Sequence, residues 1–223
     1  CSDILDVTLP MGSFDATKQI ARELPMRMLG RILGIPEEDL PWLVEKGDAL
    51  IANTDPDFTN HVLDKLDTNE FRMMPHNSPA GAELYEYAKT LMEKKSKAGE
   101  TDGILHMILQ PSEDGSRISE IEFKNFFCQL VAAGNDTTRY SIVAGIHALC
   151  HQPELLNQMK NDPLVWETAP DEIIRWASPV NYFRRTATED FEIHNKFIRE
   201  GDKVLYWFAS GNRDPNTFEN PFE

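Results

Sequence analysis

The chain has 223 residues, of which 41% are hydrophobic, and its formal net charge is −15. This length is enough for one substantial hydrophobic core. The negative charge excludes a protein that binds nucleic acid through basic patches. No run of about eighteen apolar residues is present, so no membrane span is predicted.

The cysteines and the first residues of the chain indicate the cellular compartment of the protein. The three cysteines show neither paired nor zinc-ligand spacing, which predicts free thiols in a reducing cytoplasm. The first residues lack the basic start and apolar core of a signal peptide. Because the chain does not begin with Met, its true start is expected upstream.

In chain order, Cys1 to Phe14 predict an extended or irregular lead-in. Helical spacing follows over residues 15–33, where Pro25 should kink or split the helix. A second helix is predicted over residues 37–51. The next predicted elements are a turn over 53–57, a short helix over 58–66, a loop over 71–78, a helix over 79–96, a short helix over 101–109 and a loop over 111–115.

The longest predicted helix runs from Phe123 to His151. A Ser119-x-x-Glu122 capping box opens it and Pro153 ends it. Its apolar residues cover more than one face, which is typical of a helix buried in a large core. Residues 133–138 read Ala-Gly-Asn-Asp-Thr-Thr, which is a poor helix-forming sequence. Such a local conflict indicates either a functional site or a kink with satisfied hydroxyls.

The remaining predicted elements change character. A short helix over 153–160 precedes a helix over 168–176, with Pro170 in its first turn. Residues 191–193 and 203–207 predict strands, with a turn at 201–202. The sequence therefore predicts a mainly α fold with a small β portion (α+β), as a single domain over 1–223 built around one central helix at about 120–151.

Several side-chain pairs are candidates for chemistry. Glu172 and Arg175 share a helix face, either as a surface salt bridge or as part of a site. The Arg184-Arg185 pair could bind an anionic group or lie in a solvated loop. His147 and His151 have metal-clamp spacing, but no third ligand accompanies them, which favours a solvent-exposed pair. No metal site is predicted.

The order of several short motifs is more specific than any one of them. The motifs are Ala133-Gly134-x-Asp136-Thr137-Thr138, Glu172-x-x-Arg175, Arg185-Thr186-Ala187 and Ala209-Ser210-Gly211-Asn212-Arg213-Asp214-Pro215. In this order the chain resembles the cytochrome P450 family of haem-thiolate monooxygenases, in particular its soluble bacterial members. The resemblance covers essentially the whole chain. It implies a partial cytochrome P450 fold, a haem cofactor, a cytoplasmic location and electrons from a ferredoxin and ferredoxin reductase.

The resemblance also implies roles for individual residues. Thr137 matches the family's oxygen-side threonine, and Asp136 matches the acid that relays protons from solvent. Ala133, Gly134 and Thr138 match residues beside the haem, where Gly134 leaves room for dioxygen, and Arg185 matches the arginine at a haem propionate. Glu172 and Arg175 match a buried structural pair. The substrate pocket is matched by Ala132, Val180, Asn181 and Phe183. The segments near Phe58 and over 71–76 match the family's substrate lid.

The family's haem-ligating loop, Phe-x-x-Gly-x-x-x-Cys-x-Gly, is absent from this sequence. None of Cys1, Cys128 and Cys150 lies in such a motif, although the family holds its iron by a cysteine thiolate. The expectation is an internal portion of a family member, without its N-terminal part and thiolate loop, that is inactive by itself.

The complete protein is expected to insert one oxygen atom from O2 into a C–H bond of a lipophilic substrate, such as a steroid, terpenoid, alkane or fatty-acid-like molecule. Three alternatives remain open. The same scaffold could use peroxide-driven or isomerase chemistry, the chain could be a haem-free binding or scaffold module, or it could be an unrelated helical bundle without the late β-hairpin.

Overall fold

A computed structural model describes residues 1–52, 55–56, 74–98 and 104–222. The chain forms two compact units, Cys1–Arg139 and Tyr140–Glu223. The single domain over 1–223 stays a prediction.

The first unit is built from helices. They are α1 (Ser2–Thr8), α2 (Glu23–Ile32), α3 (Leu40–Ile51), α4 (Pro79–Ala98), α5 (Ile104–Leu109) and the first part of α6 (Glu120–His151). Short 3-10 helices cover Leu9–Met11, Glu37–Asp39 and Pro75–Asn77, and a π-helical turn covers Thr17–Ala21.

The second unit combines helices with two small antiparallel sheets. Its elements are the rest of α6, α7 (Pro153–Asn161), α8 (Val165–Ala177), β1 (Tyr182–Thr186), β2 (Phe191–Ile193), β3 (Lys196–Ile198), β4 (Lys203–Trp207) and α9 (Phe208–Gly211). Strand β1 pairs with β4, and β2 pairs with β3. The predicted fold class, mainly α with a small β portion around one long helix, is confirmed.

Helix α6 begins as predicted, at the capping box. The backbone N–H of Ser119 donates to the Glu122 carboxylate at 2.8 Å, and the N–H of Glu122 donates to the Ser119 hydroxyl at 3.3 Å. The first half of α6 buries Phe123, Phe127 and Val131 at a spacing of four residues, which places them on one face. This face packs in the core of the first unit, which also contains Leu40, Leu43 and Val44 of α3 and Leu84 and Ala88 of α4.

The predicted break near Pro25 is also present. The π-helical turn ends at Ala21, Arg22 follows, and α2 begins at Glu23. Because Pro25 has no N–H, it cannot donate to the carbonyl of Ala21, four residues earlier. Just before the break, the N–H of Arg22 donates to the carbonyl of Thr17 at 2.9 Å, which is the wider π-type register.

Two predictions about helix starts are wrong. The expected irregular lead-in forms α1, in which the Thr8 hydroxyl donates to the carbonyl of Ile4 at 2.7 Å and Arg31 of α2 bonds Asp3 at 3.0 Å. Helix α8 begins at Val165, so Pro170 lies inside it. The indole N–H of Trp166 donates to the carbonyl of Met159 at 2.8 Å and fixes this earlier start.

The sequence also missed two strands. Residues 182–186 contain two adjacent arginines and all are exposed, so no alternation of buried and exposed residues indicates β1. Their register comes from β4, with Tyr182 opposite Trp207 and Thr186 opposite Lys203. The partner of β2, strand β3, was missed as well. The predicted turn over 53–57 and loop over 71–78 are described only in part, and the helix predicted over 58–66 lies outside the described residues.

We predict that Gly81→Ala destabilises the protein although alanine favours helices. A Cβ at Gly81 would lie 2.1 Å from the backbone oxygen of Pro75, so the chain would have to move. We expect a loss of about 1–3 kcal/mol in the free energy of unfolding, measured by urea titration of the full-length protein. Gly134→Ala is the matched control, because its Cβ meets only Leu29 at an ordinary 3.5 Å. Equal midpoints for both variants would contradict the prediction.

Candidate functional site

Asp136 lies on α6 within a network of charges in the first unit. Its side chain is 47% exposed, and its carboxylate accepts a hydrogen bond from Nη2 of Arg139, one turn later. Nη1 of Arg139 donates to Oδ1 of Asp48 on α3 at 2.7 Å. Oδ2 of Asp48 accepts from Nε of Arg22 at 2.7 Å. Sequence analysis identified Asp136 alone, because Asp48 and Arg22 are distant along the chain.

Thr137 holds its hydroxyl against its own helix. Its Oγ1 donates to the carbonyl of Ala133 at 2.8 Å. Helix α6 continues without interruption through this sequence. Ala133 and Thr138 are exposed, while Ala132 is half-buried and packs against the core of the first unit.

Protein packing does not explain the glycine at position 134. A Cβ there would make only an ordinary contact, 3.5 Å from Cδ2 of Leu29. Gly145, further along α6, differs because its Cβ would lie 3.1 Å from Cδ1 of Ile173 on α8. Gly145 therefore serves helix packing, whereas Gly134 has room for a Cβ in ordinary contact with Leu29.

Glu172 and Arg175 pair on α8 of the second unit. Nε and Nη2 of Arg175 donate to the two carboxylate oxygens of Glu172 at 2.7 and 2.6 Å. The carboxylate raises the pKa of Arg175 through these hydrogen bonds. Nη1 of Arg175 donates to the carbonyls of Asn212 and Pro221 at 2.8 and 2.9 Å. Arg175 is therefore more than half of a surface salt bridge, because it joins α8 to the end of the described chain.

The two partners differ in burial. The side chain of Arg175 is 11% exposed, and that of Glu172 is 57% exposed. The resemblance implied a pair that is buried as a whole. In the structure Arg175 is largely buried, but Glu172 is not.

A second arginine, missed as a site residue, fixes the end of α8. Ser178 ends this helix in the left-handed conformation, with φ of 44°. Its hydroxyl donates to the carbonyl of Arg175 at 2.9 Å and accepts from Arg213 at 3.0 Å. Arg213 also donates to the carbonyl of Trp176 at 2.7 Å and lies over the Trp176 ring. Sequence analysis listed Asn212 and Arg213 only as part of a family motif, and the motif did not indicate a role for the Arg213 side chain.

The predicted substrate and propionate residues lie on and before β1. Val180 is half-buried, whereas Asn181, Phe183 and Arg185 are exposed. The Phe183 ring meets Phe208 edge-on, with ring centres 5.5 Å apart. The Arg185 guanidinium lies 5.7 Å from the Phe183 ring centre and has no carboxylate partner in the part of the chain that the structure describes. An anionic group can therefore bind it.

The cysteines do not fit as a haem ligand. Cys128 is fully buried in the core of the first unit, and burial raises the pKa of its thiol to about 12. A metal ligand must be a thiolate, which this environment opposes. Cys1 and Cys150 are exposed. The roles predicted for Gly134, Thr137 and Arg185 beside a haem stay predictions.

The described residues contain no group of three or more His, Cys, Asp or Glu side chains that could hold a metal ion. His147 and His151 are exposed and stack, with ring centres 4.3 Å apart. Within the same residues, no helix has the length and apolar character that crossing a membrane requires.

Comparison with known proteins identifies the family. The family model described as Cytochrome P450 matches residues 167–223. A Steroid C26-monooxygenase of Mycobacterium tuberculosis is 35% identical over 211 residues, which cover 95% of this chain and 45% of that protein. The chain belongs to the cytochrome P450 family. A Methyl-branched lipid omega-hydroxylase of the same species is 34% identical, over 93% of this chain and 46% of that protein.

Solved structures agree with this assignment. A Mycobacterium marinum cytochrome P450 in complex with pseudoionone is 33% identical, with a TM-score of 0.83 over 98% of this chain and 51% of that one. A cytochrome P450 of the Bacillus subtilis bacillaene polyketide synthase is 28% identical, with a TM-score of 0.82 over all of this chain and 53% of that one. The chain thus spans about half the length of the cytochromes P450 it matches.

We predict that Arg175→Ala is far more damaging than Glu172→Gln. The arginine variant leaves the carbonyls of Asn212 and Pro221 without their donor and should lower the free energy of unfolding of the full-length protein by about 2–4 kcal/mol. Glu172→Gln loses one exposed ion pair and should cost at most about 1 kcal/mol. Urea titration and haem content after purification measure both effects. Normal stability and haem content in Arg175→Ala would contradict the structural role.

Proposed function

We propose that the full-length protein is a haem-dependent monooxygenase that inserts one oxygen atom from O2 into a C–H bond of a lipophilic substrate. A ferredoxin-type partner supplies two electrons, two protons come from solvent, and the second oxygen atom leaves as water. The reaction takes place in the cytoplasm. Family membership supports this proposal, and the Asp136–Thr137 pair on α6 carries it.

Asp136 is suited to move protons. One of its oxygens is held by Arg139, and the side chain is nevertheless 47% exposed, so that it can exchange protons with solvent. Thr137, the next residue, donates its hydroxyl hydrogen to the carbonyl of Ala133, and a threonine oxygen can accept hydrogen bonds as well. A water held by that oxygen would receive protons from the Asp136 side, which is general acid catalysis.

The proposed cofactor contacts are distributed along the chain. When bound, haem supplies the redox chemistry that activates dioxygen. In the first unit, Gly134 keeps space for dioxygen beside the exposed Ala133 and Thr138. In the second unit, the guanidinium of Arg185 would bind a haem propionate through charge-assisted hydrogen bonds. Arg175 would hold the surrounding chain in place.

The proposed substrate is apolar with few polar groups. Ala132, Val180 and Phe183 would contribute apolar contacts, and Asn181 could hydrogen-bond one substrate oxygen through its side-chain amide. The names of the relatives point in the same direction, since one is a Steroid C26-monooxygenase and another a Methyl-branched lipid omega-hydroxylase. A third was solved in complex with pseudoionone.

We predict that Thr137→Val in the full-length protein separates oxygen consumption from product formation. Valine keeps the shape of threonine but removes the hydroxyl, so the peroxide released per O2 consumed should rise severalfold. Thr137→Ser, which keeps the hydroxyl, is the matched control and should stay near the native ratio. Parallel assays of O2, peroxide and hydroxylated product measure this. Tight coupling in Thr137→Val would reject the proton-transfer role.

We predict that Arg185→Ala weakens haem binding whereas Arg184→Ala does not. Both side chains are exposed on β1, but adjacent residues of a strand point to opposite faces. Loss of a charge-assisted hydrogen bond should lower haem affinity about tenfold or more. Haem titration of the full-length apoprotein, followed by absorbance, measures it. Equal affinities would remove Arg185 from the haem site, and no binding to the unmodified protein would favour the haem-free alternative.

A further inference from the structure

Asp48 is the most deeply buried carboxylate in the charge network of the first unit. Its side chain is 5% exposed, and both of its carboxylate oxygens accept hydrogen bonds. Oδ2 accepts from Nε of Arg22 at 2.7 Å. Oδ1 accepts from Nη1 of Arg139 at 2.7 Å and from the amide of Asn135 at 3.3 Å. A buried carboxylate needs such a complete set of partners, because an unpaired one is very costly.

The packing around Asp48 fixes α3 against α6 at this point. Asn135 is fully buried, and its amide nitrogen would lie 3.0 Å from a Cβ at Gly47. Only glycine at position 47 therefore allows the Asn135 amide to approach Asp48 without displacement. The carboxylate of Asp48 thus has a defined position relative to residues 135–139 of α6.

Arg139 uses this fixed carboxylate as an anchor. Its side chain is 19% exposed, and its two terminal nitrogens bond different carboxylates, Nη1 bonding Asp48 and Nη2 bonding Asp136. A guanidinium is planar and rigid, so fixing one nitrogen also fixes the other. The carboxylate of Asp136 is otherwise exposed and, among the described residues, has no other hydrogen-bond partner.

We infer that Arg139, anchored by Asp48, is a positioning residue that holds the carboxylate of Asp136 in one orientation for proton transfer. The inference rests on the proposed function of Asp136. Arg139 bonds Oδ1 of Asp136, whose side chain is 47% exposed. Without it, an exposed aspartate samples several rotamers, of which only a fraction suit proton transfer.

Lysine substitution tests this inference without removing charge. Arg139→Lys keeps a positive charge for Asp48, but one ammonium cannot reproduce the planar fork that reaches both carboxylates. Arg22→Lys is the matched control, since Arg22 also donates to Asp48 at 2.7 Å but does not contact Asp136. Both variants should lose similar stability, because each weakens one contact to the same buried carboxylate and one further ion pair, Arg139 with Asp136 and Arg22 with Glu23.

The first measurement is a double-mutant cycle on the unfolding of the full-length protein. Asp136→Asn is combined with Arg139→Lys and, separately, with Arg22→Lys. Contacting residues couple, so the first cycle should deviate from additivity by at least about twofold in the unfolding equilibrium constant, and the second should be additive. Additive behaviour in the Arg139 cycle would overturn the inference whatever the enzyme does.

The second measurement is product formation by the two lysine variants. Arg139→Lys should lower kcat for product about tenfold and raise peroxide release, with KM unchanged because Arg139 contacts no proposed substrate residue. Arg22→Lys should keep the native ratio of product to peroxide. Equal behaviour of the two variants would reduce Arg139 to a purely structural role and overturn the inference. Native turnover in Asp136→Asn would instead refute the proposed function, which the unfolding cycle does not depend on.

Discussion

The first unit depends on the neutralisation of one buried carboxylate. Asp48 would be highly unfavourable in the interior alone, and it is stable only because Arg22 and Arg139 bring positive charge to both of its oxygens. These contacts join α3, the segment before α2 and the middle of α6. The apolar core around Phe123 and Phe127 supplies most of the burial, but it is non-directional. The charge network fixes which residues of α6 face α3.

The second unit uses an arginine in a similar way. Arg175 bonds an acidic residue three positions earlier on its own helix, as Arg139 does, and reaches distant groups with its remaining nitrogen. The distant groups are backbone carbonyls of Asn212 and Pro221 rather than a carboxylate. In both units a helix acid and arginine three residues apart form a local pair. The tertiary partners of the arginine turn that pair into a support for the fold.

This arrangement accounts for polar residues in the middle of α6. Asn135 serves packing and charge, because its amide reaches Asp48 beside Gly47. Gly134, Asp136 and Thr137 are at least partly exposed, and a Cβ at Gly134 would make only an ordinary contact, so burial in the core does not explain these residues. The proposed function gives these three residues a chemical role with oxygen and protons. The same short sequence therefore serves the fold at one position and the proposed chemistry at the others.

The sequence by itself determined whatever depends on neighbouring residues or on motif order. The capping box at Ser119, the break before Pro25, the long central helix and the family are of this kind, because caps, missing N–H groups and periodicity act locally. Only the tertiary structure decided the partners of Asp48 and Arg175, strand β1 and the exposure of Glu172. Each of these depends on residues far apart in the chain, and no local pattern encodes a contact that exists only once the chain is folded.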